Sequence, residues 1–123
     1  MIYMRIVIDL DGTICPIKEK HEEYGLLKPY PGAIETMNEL REAGHYIIIQ
    51  TARNMATQGS NLGKVVQNIG KVTLDWLEKY EVPYDEIYFG KPNANIYIDD
   101  RAFRFTGWDN VDVQSLEDIA RER

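Results

Sequence analysis

Cysteine is nearly absent from this 123-residue chain: Cys15 stands alone, so no internal disulfide can form. That sets aside the small, disulfide-stapled secreted scaffolds and makes a reducing cytoplasm the expected compartment. The N-terminus lacks a charged segment followed by a long apolar core, so no secretory leader is expected. No apolar run approaches the length of a membrane span, and no membrane partner is expected. Positive charge is also short: 14 Lys and Arg face 20 Asp and Glu, a net charge of −6. A general nucleic-acid binder needs a broad basic surface, which this balance excludes, although a local basic pocket can sit inside an acidic protein. Repeats, low-complexity tracts and linkers are missing as well, so residues 1–123 are read as a single domain. What remains is a 44% hydrophobic chain long enough to bury a core without staples.

The most informative stretch is Ile6-Val7-Ile8-Asp9-Leu10-Asp11-Gly12-Thr13. Its apolar, β-branched start reads as a strand buried on both faces, as in a parallel sheet. Two carboxylates then follow one residue apart, before a glycine that permits a sharp turn. A carboxylate buried at a strand end is costly unless a cation, a set of donors or a proton compensates it. The pair therefore suggests a bound divalent metal and a nucleophile beside an acid. The bland alternative is an ordinary turn, since Asp and Gly are common turn residues.

Further along, the first strand is expected over about Tyr3 to Asp9, followed by a polar loop or flap through Gly25. Pro31-Gly32 opens a helix with the stripe Ile34, Met37, Leu40, Ala43, and Gly44 closes it. His45 to Thr51 is a second buried strand, and polar Asn54 to Gly63 a loop. Val65, Ile69, Val72, Trp76 and Tyr80 recur at helical spacing. Glu86–Phe89 and Asn95–Asp99 are expected strands, with an irregular stretch from Ala102 to Asn110 and a short edge strand over Val111 to Val113. Ser115 with Asp118 suggests a capping box for a last helix. Strands alternating with helices predict an α/β sandwich with a mainly parallel sheet, whose ligand site lies beyond the carboxyl ends of its strands. Asp9, Thr51, Lys91 and Asp99 all fall at or near such ends.

Asp9-Leu10-Asp11-Gly12-Thr13, Thr51 after an apolar strand, Gly90-Lys91-Pro92, and Asp99-Asp100 after Ile96-Tyr97-Ile98 resemble, in order, the four motifs of the haloacid dehalogenase superfamily. The resemblance implies a three-layer α/β sandwich, a HAD-like Rossmannoid fold, with strand order five, four, one, two, three. It implies that Asp9 attacks phosphorus and forms an aspartyl-phosphate, splitting one displacement into two. Asp11 would protonate the leaving group and later take a proton from water. Thr51, with the Ala52 backbone, and Lys91 would bind the phosphoryl group. Mg²⁺ would be the cofactor, held by Asp9, the Asp11 carbonyl, Asp99 and Asp100, with one of the last two ligating only through water and Asp99 favoured as the direct ligand. Only seven residues separate Lys91 from Asp99, too few for an intervening helix, so Lys91 must reach the site from a tight loop. Arg53 is a candidate substrate-binding residue; Arg53, Arg101 and Arg104 read equally as an anion-binding cluster or as surface charges. His21 and His45 look incidental, Cys15 a packing residue, and Phe103, Phe105 and Trp108 a core or interface patch.

Gln50 to Met55, Pro83 to Tyr88, Gly90-Lys91-Pro92 and Tyr97 to Ala102 are similar, more narrowly, to small phosphatases of capsular-polysaccharide biosynthesis. That implies a phosphomonoesterase acting on a small phosphorylated metabolite or sugar phosphate. Ile14 to Tyr30 and Asn54 to Gly63 are too short for a cap domain, so the site would stay open to a bulky or polymeric substrate or be closed by another subunit. Three rivals are weighed. A receiver-like phospho-Asp signalling module would carry its acidic pair on the first strand and its lysine last, whereas Lys91 precedes Asp99-Asp100 here. A non-catalytic partner of the same fold conflicts with the intact motifs. A phosphatase for nucleic-acid ends conflicts with the acidic balance.

Overall fold

The computed structural model describes residues 3–121. Three parallel strands form its sheet in the order β1 (Arg5–Asp9), β2 (Tyr46–Thr51), β3 (Glu86–Phe89). Ile8 pairs with Ile49, and Ile49 with Ile87, so the strands end close together at their carboxyl side. β2 is central, and its Ile47, Ile48 and Ile49 are all buried, as a continuous apolar run in a parallel sheet should be.

Helix α1 (Ala33–Glu42) connects β1 to β2 and buries Ala33, Met37 and Leu40. Gly44 follows it at φ +96°, a conformation that stops a helix readily with glycine. Helix α2 (Leu62–Lys79) begins where the Asn61 side chain accepts from the Lys64 backbone N–H, an N-cap. Its stripe of Val65, Ile69, Thr73, Trp76 and Leu77 is buried. Trp76 also donates its indole N–H to the Leu27 carbonyl at 2.7 Å. Truncating such a residue to alanine costs about 3–5 kcal/mol. The turn Tyr24–Leu26 is thereby fixed against α2, where the sequence suggested a flap.

Two expected strands do not form. Asn95–Asp99 runs as irregular, exposed backbone, with Ile98 97% exposed. Within this stretch the Tyr97 ring lies 4.4 Å from the Lys91 ammonium, and the Tyr97 hydroxyl donates to the Pro92 carbonyl. β1 is consequently an edge strand, and Val7, expected to be buried, is 54% exposed. The second correction concerns Val111 to Val113. Val113 starts helix α3 (Val113–Arg121), and Asp112 rather than Ser115 caps it, accepting from the Ser115 N–H at 2.8 Å. The described sheet is thus three-stranded, within the α/β class that the alternation predicts.

Candidate active site

Asp9 ends β1 and opens on a groove of ≈1090 Å³ that runs along the free β1 edge. Leu10, between the two aspartates, is fully buried. Gly12 sits at φ +89°, which a side chain rarely adopts. The turn is closed by the Gly12 N–H donating to the Cys15 carbonyl at 2.6 Å. Trp108 secures it from outside through its indole N–H on the Thr13 carbonyl at 2.7 Å. These constraints send the two aspartates into different surroundings.

Lys91 Nζ lies 3.2 Å from Asp9 Oδ1, while the Thr13 hydroxyl donates to Oδ2 at 3.3 Å. Lys91 arrives there because the Gly90 and Lys91 N–H groups both donate to the Thr51 carbonyl, turning the chain over the end of β2. Gly90 is at φ +99°, a conformation that side chains rarely adopt, and a Cβ there would meet the end of the Leu62 side chain. Burial pushes the Asp9 carboxyl above the usual carboxylate range, and the Lys91 ammonium opposes that rise.

Asp11 is half-buried and turns to a different set of partners. Thr51 Oγ1 donates to its Oδ2 at 3.2 Å, and Arg53 Nε approaches both oxygens at 3.1 and 3.0 Å. Arg53 Nη2 adds a further contact to Oδ1 at 3.0 Å. Thr51 is fully buried, and its hydroxyl oxygen accepts the Arg53 backbone N–H at 3.1 Å. Cys15 Sγ lies 3.7 Å from Asp11 Oδ1; burial first, and the Asp11 charge second, push its thiol up to about 12.

Of the residues singled out from sequence, Asp9 and Lys91 therefore meet at the groove, and Asp11, Thr51 and Arg53 meet behind it. Ala52 lies between those last two, packed against the Met55, Val65 and Ile69 cluster. Asp99 borders the groove that Asp9 opens on, and Asp100 is exposed beside it. The Asp99 carboxylate accepts the Arg101 N–H at 2.8 Å, a local turn contact. Among the described residues, no three His, Cys, Asp or Glu side chains gather into a metal cage. The all-oxygen donors suit a hard cation, and Mg²⁺ is commonly held by only one or two carboxylates with water and phosphate oxygens.

A Vibrio cholerae protein of known crystal structure, described as an MCSG target, superposes with a TM-score of 0.84 at 34% identity, over 97% of this chain and 98% of its own. The chain belongs to the same family as that protein. Its description names no activity. A chain of the Pnkp1/Rnl/Hen1 complex also aligns, with a TM-score of 0.50 and 18% identity over 80% of this chain and 31% of its own. The Pnkp1/Rnl/Hen1 RNA repair complex gives the same score and identity over 28% of that chain. That likeness is one of fold. No protein-family model and no curated protein matches the chain.

Two contributors to the site escape sequence reasoning. Thr73 lies in the apolar stripe of α2 and accepts from Arg53 Nη1 at 3.0 Å. A lone hydroxyl among Ile69, Trp76 and Leu77 was the available signal. Tyr24, in a polar run, places its ring 4.1 Å from the Arg53 guanidinium carbon. Among the described residues, no helix is long and apolar enough to cross a membrane.

Proposed function

We propose that the protein is a phosphomonoester hydrolase of the haloacid dehalogenase type, small and without a cap, working through an aspartyl-phosphate on Asp9. One observation carries the reading. Two carboxylates separated by one residue take different partners at one strand end, Asp9 at a groove beside the Lys91 ammonium and Asp11 on the Thr51 hydroxyl and the Arg53 guanidinium. Two carboxyls held separately in this way suit a nucleophile and an acid/base.

Asp9 must be ionised to attack, and Lys91 stabilises that form. An Asp9 oxygen forms a bond to phosphorus while the ester P–O bond breaks, and Asp11 gives its proton to the departing oxygen. Water then attacks the same phosphorus, Asp11 takes the water's proton, and the P–O bond to Asp9 breaks to free inorganic phosphate. Lys91 offsets negative charge gathering on the phosphoryl oxygens, the kind of interaction whose loss costs about 10²–10³ in rate. Thr51 donates to Asp11 here, so it would hold the phosphoryl group only after its hydroxyl turns from that partner.

Mg²⁺ is the proposed cofactor, with Asp9, the Asp11 carbonyl and Asp99 or Asp100 as its protein ligands. It would supply positive charge to the phosphoryl oxygens. The substrate class is a small phosphorylated metabolite or sugar phosphate of surface-polysaccharide synthesis. The groove walls, with Phe103, Phe105 and Arg101, leave room for a sugar-sized group beyond the phosphate.

The test is a panel of phosphorylated metabolites assayed with Mg²⁺ and with EDTA, on the parent and on Asp9→Asn. Turnover should need both the metal and Asp9. Hydrolysis that survives Asp9→Asn would remove the mechanism.

A further inference from the structure

The Arg53 side chain has no solvent exposure, and its guanidinium is engaged on every arm. Nε and Nη2 hold Asp11, Nη1 donates to Thr73 at 3.0 Å, and Nη2 also reaches Cys15 Sγ at 3.7 Å. Tyr24 covers the guanidinium at 4.1 Å, on a segment that Trp76 ties to α2 through the Leu27 carbonyl. A residue that grips a substrate anion needs free, exposed N–H groups, whereas this side chain is wholly buried and its donors are spent on the protein itself; the Asp11 carboxylate that it holds stays 20% exposed.

We infer that Arg53 is a positioning residue that acts on the reaction through Asp11 and does not touch the substrate. The inference rests on the phosphatase reading above. An aspartate side chain has two torsions, and a proton-transferring carboxyl must be held in reach and in plane with its partner. Thr51 fixes one oxygen, and the planar Arg53 fork fixes both, which an ammonium cannot reproduce. Thr73 and Tyr24 in turn fix the fork. The chain of restraint thus runs from α2 through the buried guanidinium to the proton-transferring group.

Steady-state kinetics of Arg53→Lys, Arg53→Gln and the nearly isosteric Thr73→Val test this, with p-nitrophenyl phosphate and an alkyl phosphate as substrates. Circular dichroism and melting curves establish which variants are folded at the assay temperature. In folded Arg53 variants kcat should fall about 10- to 100-fold with KM within about twofold. Thr73→Val should lose several-fold in kcat, and it carries the test if the Arg53 variants do not fold. The loss should be larger for the alkyl phosphate, because its basic leaving oxygen needs the proton and nitrophenolate does not. A risen KM with unchanged kcat would make Arg53 a substrate contact, and equal losses on both leaving groups would make it a plain brace. Either result overturns the inference, as does unchanged kcat in folded variants.

A readout independent of turnover is the Arg53 Nε–H resonance in nitrogen-15 NMR. It should exchange slowly with solvent in the parent and faster in Asp11→Asn. Fast exchange in the parent overturns the fork itself. A parent that hydrolyses no phosphomonoester defeats the phosphatase reading, and the positioning role falls with it. An active parent with indifferent variants defeats the positioning role alone.

Discussion

The Lys91 ammonium lies 3.2 Å from Asp9 Oδ1, joining residues 82 positions apart at the carboxyl end of the sheet. Burial raises the Asp9 carboxyl pKa and Lys91 restrains it, so deleting the ammonium should raise it further. The attacking carboxylate must be ionised, so the rate falls as pH drops through that value. Bound Mg²⁺ would also favour the ionised form, so the comparison is between proteins under one metal condition: in Lys91→Ala the acid-side fall should begin at higher pH than in the parent. Lys91→Ala should also lose about 10²–10³ in kcat at neutral pH. A pH–rate profile of both proteins decides it, and a profile unmoved by the substitution rules the ammonium out of this role.

Thr51 is a buried hydroxyl with two duties, donating to Asp11 and accepting from the Arg53 backbone N–H. Thr51→Val keeps the shape and removes both hydrogen bonds, leaving the buried Arg53 backbone N–H without its acceptor. That costs about 1–3 kcal/mol, so Tm should drop by roughly 5–15 °C. Thr51→Ser retains the hydroxyl and should stay within about 1 kcal/mol of the parent. Thermal unfolding of the two variants side by side provides the comparison. A stable Thr51→Val beside a destabilised Thr51→Ser would show that the methyl group, not the hydroxyl, matters.

The extent to which the sequence reveals this arrangement follows physical lines. β2 is visible because a central parallel strand must be apolar on both faces, and Ile47-Ile48-Ile49 is. α1 and α2 are visible because their buried residues recur at helical spacing. Ile96-Tyr97-Ile98 carries the same apolar signal as a strand, yet it is exposed, contacts Lys91 and Pro92 through Tyr97, and does not pair with the β1 edge. Pattern reports what a segment can bury, not which partner claims it. At the site, motif spacing brings Asp9 to Lys91 and Asp11 to Thr51. The inward turn of Arg53 depends on Thr73 and Tyr24, 20 and 29 residues away in the chain, and nothing local announces it.

Metal dependence can be separated from phosphate binding. If Mg²⁺ is held by Asp9 with Asp99 on the same groove, EDTA should abolish turnover and Mg²⁺ restore it. Asp99→Asn should raise the Mg²⁺ concentration for half-maximal rate by about 10-fold or more, equivalent to about 1.4 kcal/mol. Its maximal rate at saturating metal should change far less. Titrating the rate with Mg²⁺ in parent, Asp99→Asn and Asp100→Asn distinguishes the two acids. Identical curves for all three would exclude both as ligands.

Cys15 offers a test of the buried surroundings of Asp11 that needs no substrate. Its thiol is fully buried and pushed up to about 12, by desolvation and then by the Asp11 charge. Native protein at pH 8 should therefore resist iodoacetamide, with a thiolate fraction of about 10⁻⁴, while the unfolded chain reacts readily. The same shift fixes a sign for stability. Between the unfolded pKa and about 12 the folded thiol keeps a proton that the unfolded thiol has lost. Stability must then fall as pH rises through that window. Cys15→Ala removes the titrating group, so its denaturation midpoint should decline less steeply between about pH 9 and 11 than the parent's. Parallel declines would mean that the thiol is not held in the protonated form that its contacts with Asp11 and Leu10 imply.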